Sequence, residues 1–155
     1  MEGLHAVANR EITKITLDGV PDRPGIAAEI FGTLGSLGFN IELVVSTGGS
    51  GGRANISLAV SRGQEDAVLQ ALERIRAEVG AGALHKSSTV ALVSIIGQHL
   101  STEPGIAGRM FQALSKRGIN IEVISTSMSS VTCLIDEEKT EEAMSALRAE
   151  FGAAG

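Results

Sequence analysis

Residues 24–42, PGIAAEIFGTLGSLGFNIE, return 80 positions later as residues 104–122, PGIAGRMFQALSKRGINIE. Ten of these 19 positions are identical and no gap is needed. A supersecondary unit repeated once divides a 155-residue chain into two small modules. Inside the quoted stretch, Ile26, Ile30, Phe31 and Leu34 recur at helical spacing and draw one apolar stripe, which Ile106, Met110, Phe111 and Leu114 redraw in the second copy. Gly38 and Gly118 stand where a left-handed residue ends a helix. The Pro-Gly pair opens that helix, so each copy predicts a loop, a helix and a turn.

Strands flank this unit on both sides. Upstream, Ile12 to Leu17 alternates apolar and polar residues, and its counterpart Val90 to Ile96 is almost continuously apolar. Downstream, Asn40 to Ser46 and Asn120 to Thr126 read as second strands, Ala54 to Val60 and Val131 to Asp136 as third strands. A second helix follows in each copy. Val68, Leu72, Ile75 and Val79 form the inner face of one, and Ala143, Leu147 and Phe151 that of the other. Ser61 with Gln64 has the form of a capping box at the start of the first, while Asp136, Glu137 and Glu138 place negative charge at the start of the last.

Counting strands makes the two copies unequal. The first ends in a short fourth strand near Ala83 to Lys86, whereas the second stops at Phe151 without one. Gly3 to Ala8, ahead of the first copy, has no counterpart and is expected to supply the missing strand. The expected domains are therefore residues 10–88, and residues 1–9 together with 89–155, the first inserted within the second.

Composition restricts the function. A formal net charge of −5 argues against a nucleic-acid or anionic-membrane surface. One cysteine, Cys133, excludes an intrachain disulfide and suits a reducing cytoplasm. No apolar run approaches the length of a membrane span, and Met-Glu-Gly-Leu-His lacks the features of a signal peptide. A cytoplasmic protein is expected.

The runs Gly19-Val20-Pro21-Asp22-Arg23-Pro24-Gly25-Ile26-Ala27-Ala28 and Gly38-Phe39-Asn40-Ile41 resemble an ACT domain. Gly118-Ile119-Asn120-Ile121-Glu122-Val123-Ile124-Ser125-Thr126-Ser127 is similar to the second ACT domain of aspartate kinases. The resemblance covers essentially the whole chain and is closest to the separately translated regulatory (beta) subunit of that family, which the Met-Glu start followed by a short strand suits. It implies an α+β fold of two ferredoxin-like βαββαβ modules with antiparallel sheets, pairing side by side and binding an amino acid at the seam. It further implies lysine or threonine as effector, feedback inhibition, no cofactor, and no catalysis by the chain itself. As partners it implies a second copy through ACT–ACT pairing and a catalytic aspartate kinase subunit.

The loop residues suit a zwitterion. A helix amino-terminus pools backbone N–H groups for a carboxylate. Gly25 allows close approach, Pro24 presets the loop, and Asp22 is placed to take the ammonium. The residues assigned to the ligand are Asp22, Arg23, Pro24, Gly25, Ile26, Ala27, Ala28, Asn40, Ile41, Ser46 and Thr47 in the first copy. Asn120, Ile121, Ser125 and Thr126 join them from the second. There the position of Asp22 holds Thr102, the acid moves to Glu103, and the loop from Gly97 to Gly105 is two residues longer than Gly19 to Gly25.

Two departures from the family pattern leave the amino acid open. Ser46-Thr47 stand where those proteins commonly carry Gln-Asn, and Met128-Ser129-Ser130 where they carry Glu and then a cation. A free-standing amino-acid sensor with another partner, and an oligomerisation module without effector, remain alternatives. Elsewhere, Gly48 to Gly52 with Arg53 reads as a hairpin tip rather than a phosphate cradle, since no Gly-Lys-Ser/Thr follows. His5, His85 and His99 have no metal-ligand spacing, His99 reading as a solvated loop residue, and Cys133 on a strand reads as buried and inert.

Overall fold

The computed structural model describes residues 3–48, 51–98 and 100–152. The chain runs β1 (His5–Asn9), β2 (Ile12–Pro21), α1 (Ile26–Ser36), β3 (Ile41–Gly48), β4 (Arg53–Ser61), α2 (Glu65–Val79) and β5 (Leu84–Ser87). It continues with β6 (Val90–Ile96), α3 (Ile106–Lys116), β7 (Val123–Thr126), β8 (Ser130–Asp136) and α4 (Thr140–Phe151). These elements form two compact units, Glu11–Ser88, and Met1–Arg10 with Thr89–Gly155.

In the Glu11–Ser88 unit the sheet order is β3-β4-β2-β5, with antiparallel pairing throughout. The helices α1 and α2 bury their apolar stripes on it: Ile26, Ile30 and Leu34 from one, Val68, Leu72, Ile75 and Val79 from the other. They pack with Ile15, Leu17, Ile56 and Leu58 into one core. Each such side chain removed from water contributes about 1.5–3 kcal/mol, the term that offsets ordering so small a unit.

The other unit has the order β1-β6-β8-β7, again antiparallel. Its fourth strand is β1, in register with β6 from His5↔Ile96 to Asn9↔Leu92. The fold is thus α+β, two ferredoxin-like modules with the first inserted in the second. Ile106, Met110 and Leu114 of α3 and Ala143, Leu147 and Phe151 of α4 are buried on this sheet. Asp136 accepts a hydrogen bond from the Glu138 N–H at 3.1 Å, capping the short 3-10 turn that leads into α4.

Two local expectations are corrected. The capping box at Ser61 and Gln64 does not form: the Ser61 side chain makes no cap bond, Arg62–Gln64 is a 3-10 turn, and α2 begins at Glu65. This turn is shaped instead by Arg62, whose backbone N–H donates to Glu11 O at 2.8 Å and whose Nη2 donates to Ile12 O at 2.8 Å. The strand expected from Asn120 begins only at Val123, because a bend at Glu122 precedes it. The first copy has the matching irregularity, a register shift between Ile41 and Leu43 around Glu42. In the first copy the extra residue only kinks the ladder, whereas in the second the ladder starts after the bend.

Candidate functional site

A β-bulge prepares the first Pro-Gly loop. Leu17 faces Ile56 on β4, yet Val20 already faces Ala54, so Asp18 and Gly19 crowd an extra residue into β2. Gly19 has φ 60, which favours glycine. Its N–H donates to Asn55 Oδ1 at 3.1 Å, and its carbonyl accepts from Arg53 Nη1 at 2.6 Å. The same Arg53 nitrogen donates to Gly80 O at 2.9 Å, just past α2. Arg53 therefore braces two carbonyls, which agrees with reading its glycine run as something other than a phosphate cradle. Gly49 and Ser50 of that run lie outside the described residues.

Beyond the bulge, β2 ends at Pro21 and the Asp22 N–H donates to Gly52 O at 2.8 Å. Gly25 adopts φ 89 as the residue before α1, with no side-chain cap. The Ile26 N–H reaches Arg23 O at 3.2 Å and the Glu29 N–H reaches Gly25 O at 2.9 Å. Among the described residues no acceptor meets the N–H groups of Gly25, Ala27 or Ala28. Three donors without an acceptor among the described residues thus stand at the positive end of a helix dipole.

The two charges of the loop are not equivalent. Arg23 Nη2 lies 2.9 Å from Glu29 Oε2, so its charge is balanced on α1 itself. The Asp22 carboxylate meets no cation among the described residues. An anion and a cluster of N–H donors placed side by side can hold the two ends of an α-amino acid.

Beside the loop lies a cavity of about 320 Å³. Asp22, Arg23, Gly25, Ile26, Ala27 and Ser46 line it, with Val20, Pro21, Phe31, Val44, Ala54 and Ile56. Of the residues assigned from the sequence, the structure brings those first six together. Pro24, Ala28 and Thr47 are their chain neighbours without lining the space. Asn40 and Ile41 are at the other end of β3: Ile41 faces Val60, whereas Thr47 and Gly48 face Asn55 and Ala54 beside the cavity. The apolar wall was not read from the sequence. Its signal was present as alternation, because Val44 and Ser46 on β3, and Ala54 and Ile56 on β4, stand two apart and share a face.

In the second copy, Gly105 has φ 88 and the Arg109 N–H donates to Gly105 O at 2.9 Å. Its longer loop folds into a 3-10 turn at Leu100–Thr102, and Leu100 joins the core with Leu4. A Cβ on Gly97 would stand 2.6 Å from Leu4 Cδ2, so the approach to β1 fits this loop closely. His99 lies outside the described residues. Asn120 and Ile121 precede β7, and Ser125 and Thr126 lie on it, all within the second unit.

Cys133 is fully buried and burial pushes its thiol up to about 12, far from a reactive thiolate. His85 Nε2 lies 2.6 Å from Asp18 Oδ2 at the bulge. Among the described residues no cluster of three His, Cys, Asp or Glu could hold a metal ion, and no helix is long and apolar enough to cross a membrane.

Comparison with known proteins agrees with this fold. The ACT-domain family matches residues 14–79, and a second ACT-domain family matches residues 93–151. Aspartate kinase Ask_LysC of Stutzerimonas stutzeri (strain A1501) is 36% identical over 143 residues, 92% of this chain but 35% of that protein. The chain therefore spans about a third of the length of the curated relatives it matches. Solved structures of regulatory subunits match nearly end to end. The ligand-free regulatory subunit of aspartate kinase from Thermus thermophilus is 32% identical with a TM-score of 0.88, covering 94% of this chain and 96% of that one. A chain from the crystal structure of aspartokinase alpha and beta subunits is 30% identical with a TM-score of 0.87, covering 96% and 97%.

Proposed function

This chain belongs to the ACT-domain family of aspartokinase regulatory regions, and from that premise we propose that it binds lysine or threonine and relays their level to an aspartate kinase catalytic partner. The observation that carries this reading is the first Pro-Gly loop, where Asp22, Gly25 and Ala27 line one cavity and, among the described residues, the N–H groups of Gly25 and Ala27 meet no acceptor. Asp22 takes the α-ammonium and the helix amino-terminus takes the α-carboxylate. The chain does no chemistry of its own.

Regulation follows from linkage. An effector that binds one module arrangement more tightly shifts the population toward it, and that arrangement disfavours the partner's active state. Pairing with a second copy is supported by the sheet edges. β3 and β7 each stand at the end of a sheet, with Val44 46% and Ile124 49% exposed. Open edges of this kind recruit another strand.

Calorimetry against free lysine and threonine, followed by an aspartate kinase assay with the chain added to a catalytic polypeptide, tests the proposal. Binding together with a fall in rate is the expected result. Binding of a different amino acid without effect on the kinase supports a separate sensor. Ser46 in the cavity and the 77% exposed Met128, the two departures from the family pattern, favour that second reading.

A further inference from the structure

We propose that Arg53 is a positioning residue for the first Pro-Gly loop, and that through it a ligand at the loop is felt at the turn following α2. This rests on the reading above, in which that loop holds the two charged ends of an amino acid. Arg53 is not part of the cavity lining, so it acts through the backbone it holds.

Three segments converge on this residue. Its own strand grips the start of the loop: Arg53 faces Pro21 across the ladder, and the carbonyl of the preceding Gly52 accepts the Asp22 N–H at 2.8 Å. Its guanidinium reaches the other two. Nη1 donates to Gly19 O in the bulge at 2.6 Å, and to the carbonyl of Gly80, the left-handed residue that ends α2, at 2.9 Å. Backbone contacts bring the same bulge and turn together, since the Gly82 N–H donates to Asp18 O at 2.8 Å and the Asp18 N–H to Ala83 O at 2.9 Å. A Cβ on Gly82 would stand 3.1 Å from Asp18 O, so the turn lies close against the bulge. A hydrogen-bonded chain therefore runs from Asp22 through Arg53 to the end of α2.

Helix electrostatics explain why a cation stands here. The last carbonyls of α2 carry the negative pole of its dipole. Arg76, the basic residue of the last turn, is committed to Glu73, whose carboxylate accepts from its Nε at 2.9 Å. Arg53 brings a second cation from outside the helix. Because Arg53 is exposed, water competes for both carbonyls, and its loss loosens the clamp without unfolding the unit.

The second copy serves as an internal control. Val44 faces Leu58 in one module and Ile124 faces Cys133 in the other. Five residues before Leu58 stands Arg53, and five before Cys133 stands Met128. Met128 is 77% exposed, and its side chain has no N–H to offer a carbonyl. The ladder of β6 with β8 also runs without a register shift, so this copy has neither the bulge nor the side chain that grips it. The clamp belongs to the module whose loop carries Asp22.

The test combines calorimetry with amide exchange read by NMR, on the full chain and on Arg53→Ala, with lysine and threonine as probes. Arg53→Ala should weaken the amino acid that binds by about three- to tenfold, the range of one hydrogen bond. Without ligand, the variant should exchange faster at the Asp22 and Gly82 amides and at the native rate from Ile56 to Val60. With ligand, exchange at Gly82 should slow in the native chain but not in the variant. Unchanged affinity, or a Gly82 amide that answers the ligand equally in both chains or in neither, would overturn this inference and leave the proposed function standing. Faster exchange from Ile56 to Val60 would make Arg53 a support of the whole sheet and overturn it as well. Silence from both amino acids would overturn the proposed function itself, and this inference with it.

Discussion

Asp22 and Gly25 share the first Pro-Gly loop but act through different physics. Asp22 acts through charge, so Asp22→Ala should weaken effector binding several-fold or more in calorimetry while leaving the thermal midpoint nearly unchanged, because the residue is exposed and meets no cation among the described residues. Gly25 acts through its backbone. At φ 89 a side chain is strained although nothing occupies the space around it, so Gly25→Ala should cost about 1–2 kcal/mol in denaturant unfolding and disturb the loop donors. Both residues were legible because the Pro-Gly signature is local. The wall of the cavity was not, since Val44 and Ile56 meet only after β3 pairs with β4. Asn40 and Ile41 show the converse. They are close to the loop in sequence, yet the direction of β3 carries them to its far end.

At the scale of elements, the turn from Arg62 to Glu65 holds both ends of the inserted unit. Arg62 binds Glu11 and Ile12, where the chain enters. Glu65 Oε2 accepts from Thr13 Oγ1 at 2.5 Å and from Ser88 Oγ at 3.2 Å, where the chain leaves. Lys86 Nζ lies 3.6 Å from the other carboxylate oxygen. Thr13 is wholly buried, so its hydroxyl needs this acceptor. The Thr13 hydrogen bond, with help from Lys86 and Ser88, holds the Glu65 carboxyl below its ordinary value. A depressed acid stabilises the fold above its unfolded pKa, and that contribution is lost as pH falls through the folded one. Thermal unfolding followed by circular dichroism should therefore show Glu65→Gln about 1 kcal/mol less stable at neutral pH, with the gap closing below about pH 4.3. The sequence offered Ser61 and Gln64 as a capping box here. Local spacing could not show that Arg62 would instead turn toward a strand some 50 residues earlier.

For the whole molecule, the inference that mattered was the unequal strand count, because it assigned a segment before the first copy to the second. β1 carries Ala6, fully buried, and Leu4 stands just ahead of it in the same core. Removing residues 1–10 should strip one side of β6 and leave Val90 to Ile96 without five of its register partners. Hydrogen exchange should then accelerate along β6, while β2 and β4 keep their protection. At the other end, Phe151 is 1% exposed and carries the Arg109 guanidinium 4.8 Å from its ring centre. Phe151→Ala should cost about 3–5 kcal/mol of unfolding free energy, with the loss confined to the same unit.

Strand β1 also sets a timetable. The ribosome makes β1 well before β6, for the residue that pairs with Asn9 is Leu92, and the residue that pairs with His5 is Ile96. At about 5–20 residues per second, β1 waits several seconds for β6, while every strand of the inserted unit has already been made. During that interval its apolar side chains and free backbone groups are available to any other nascent chain nearby. The enclosing unit is thus completed only after the unit it encloses has been made.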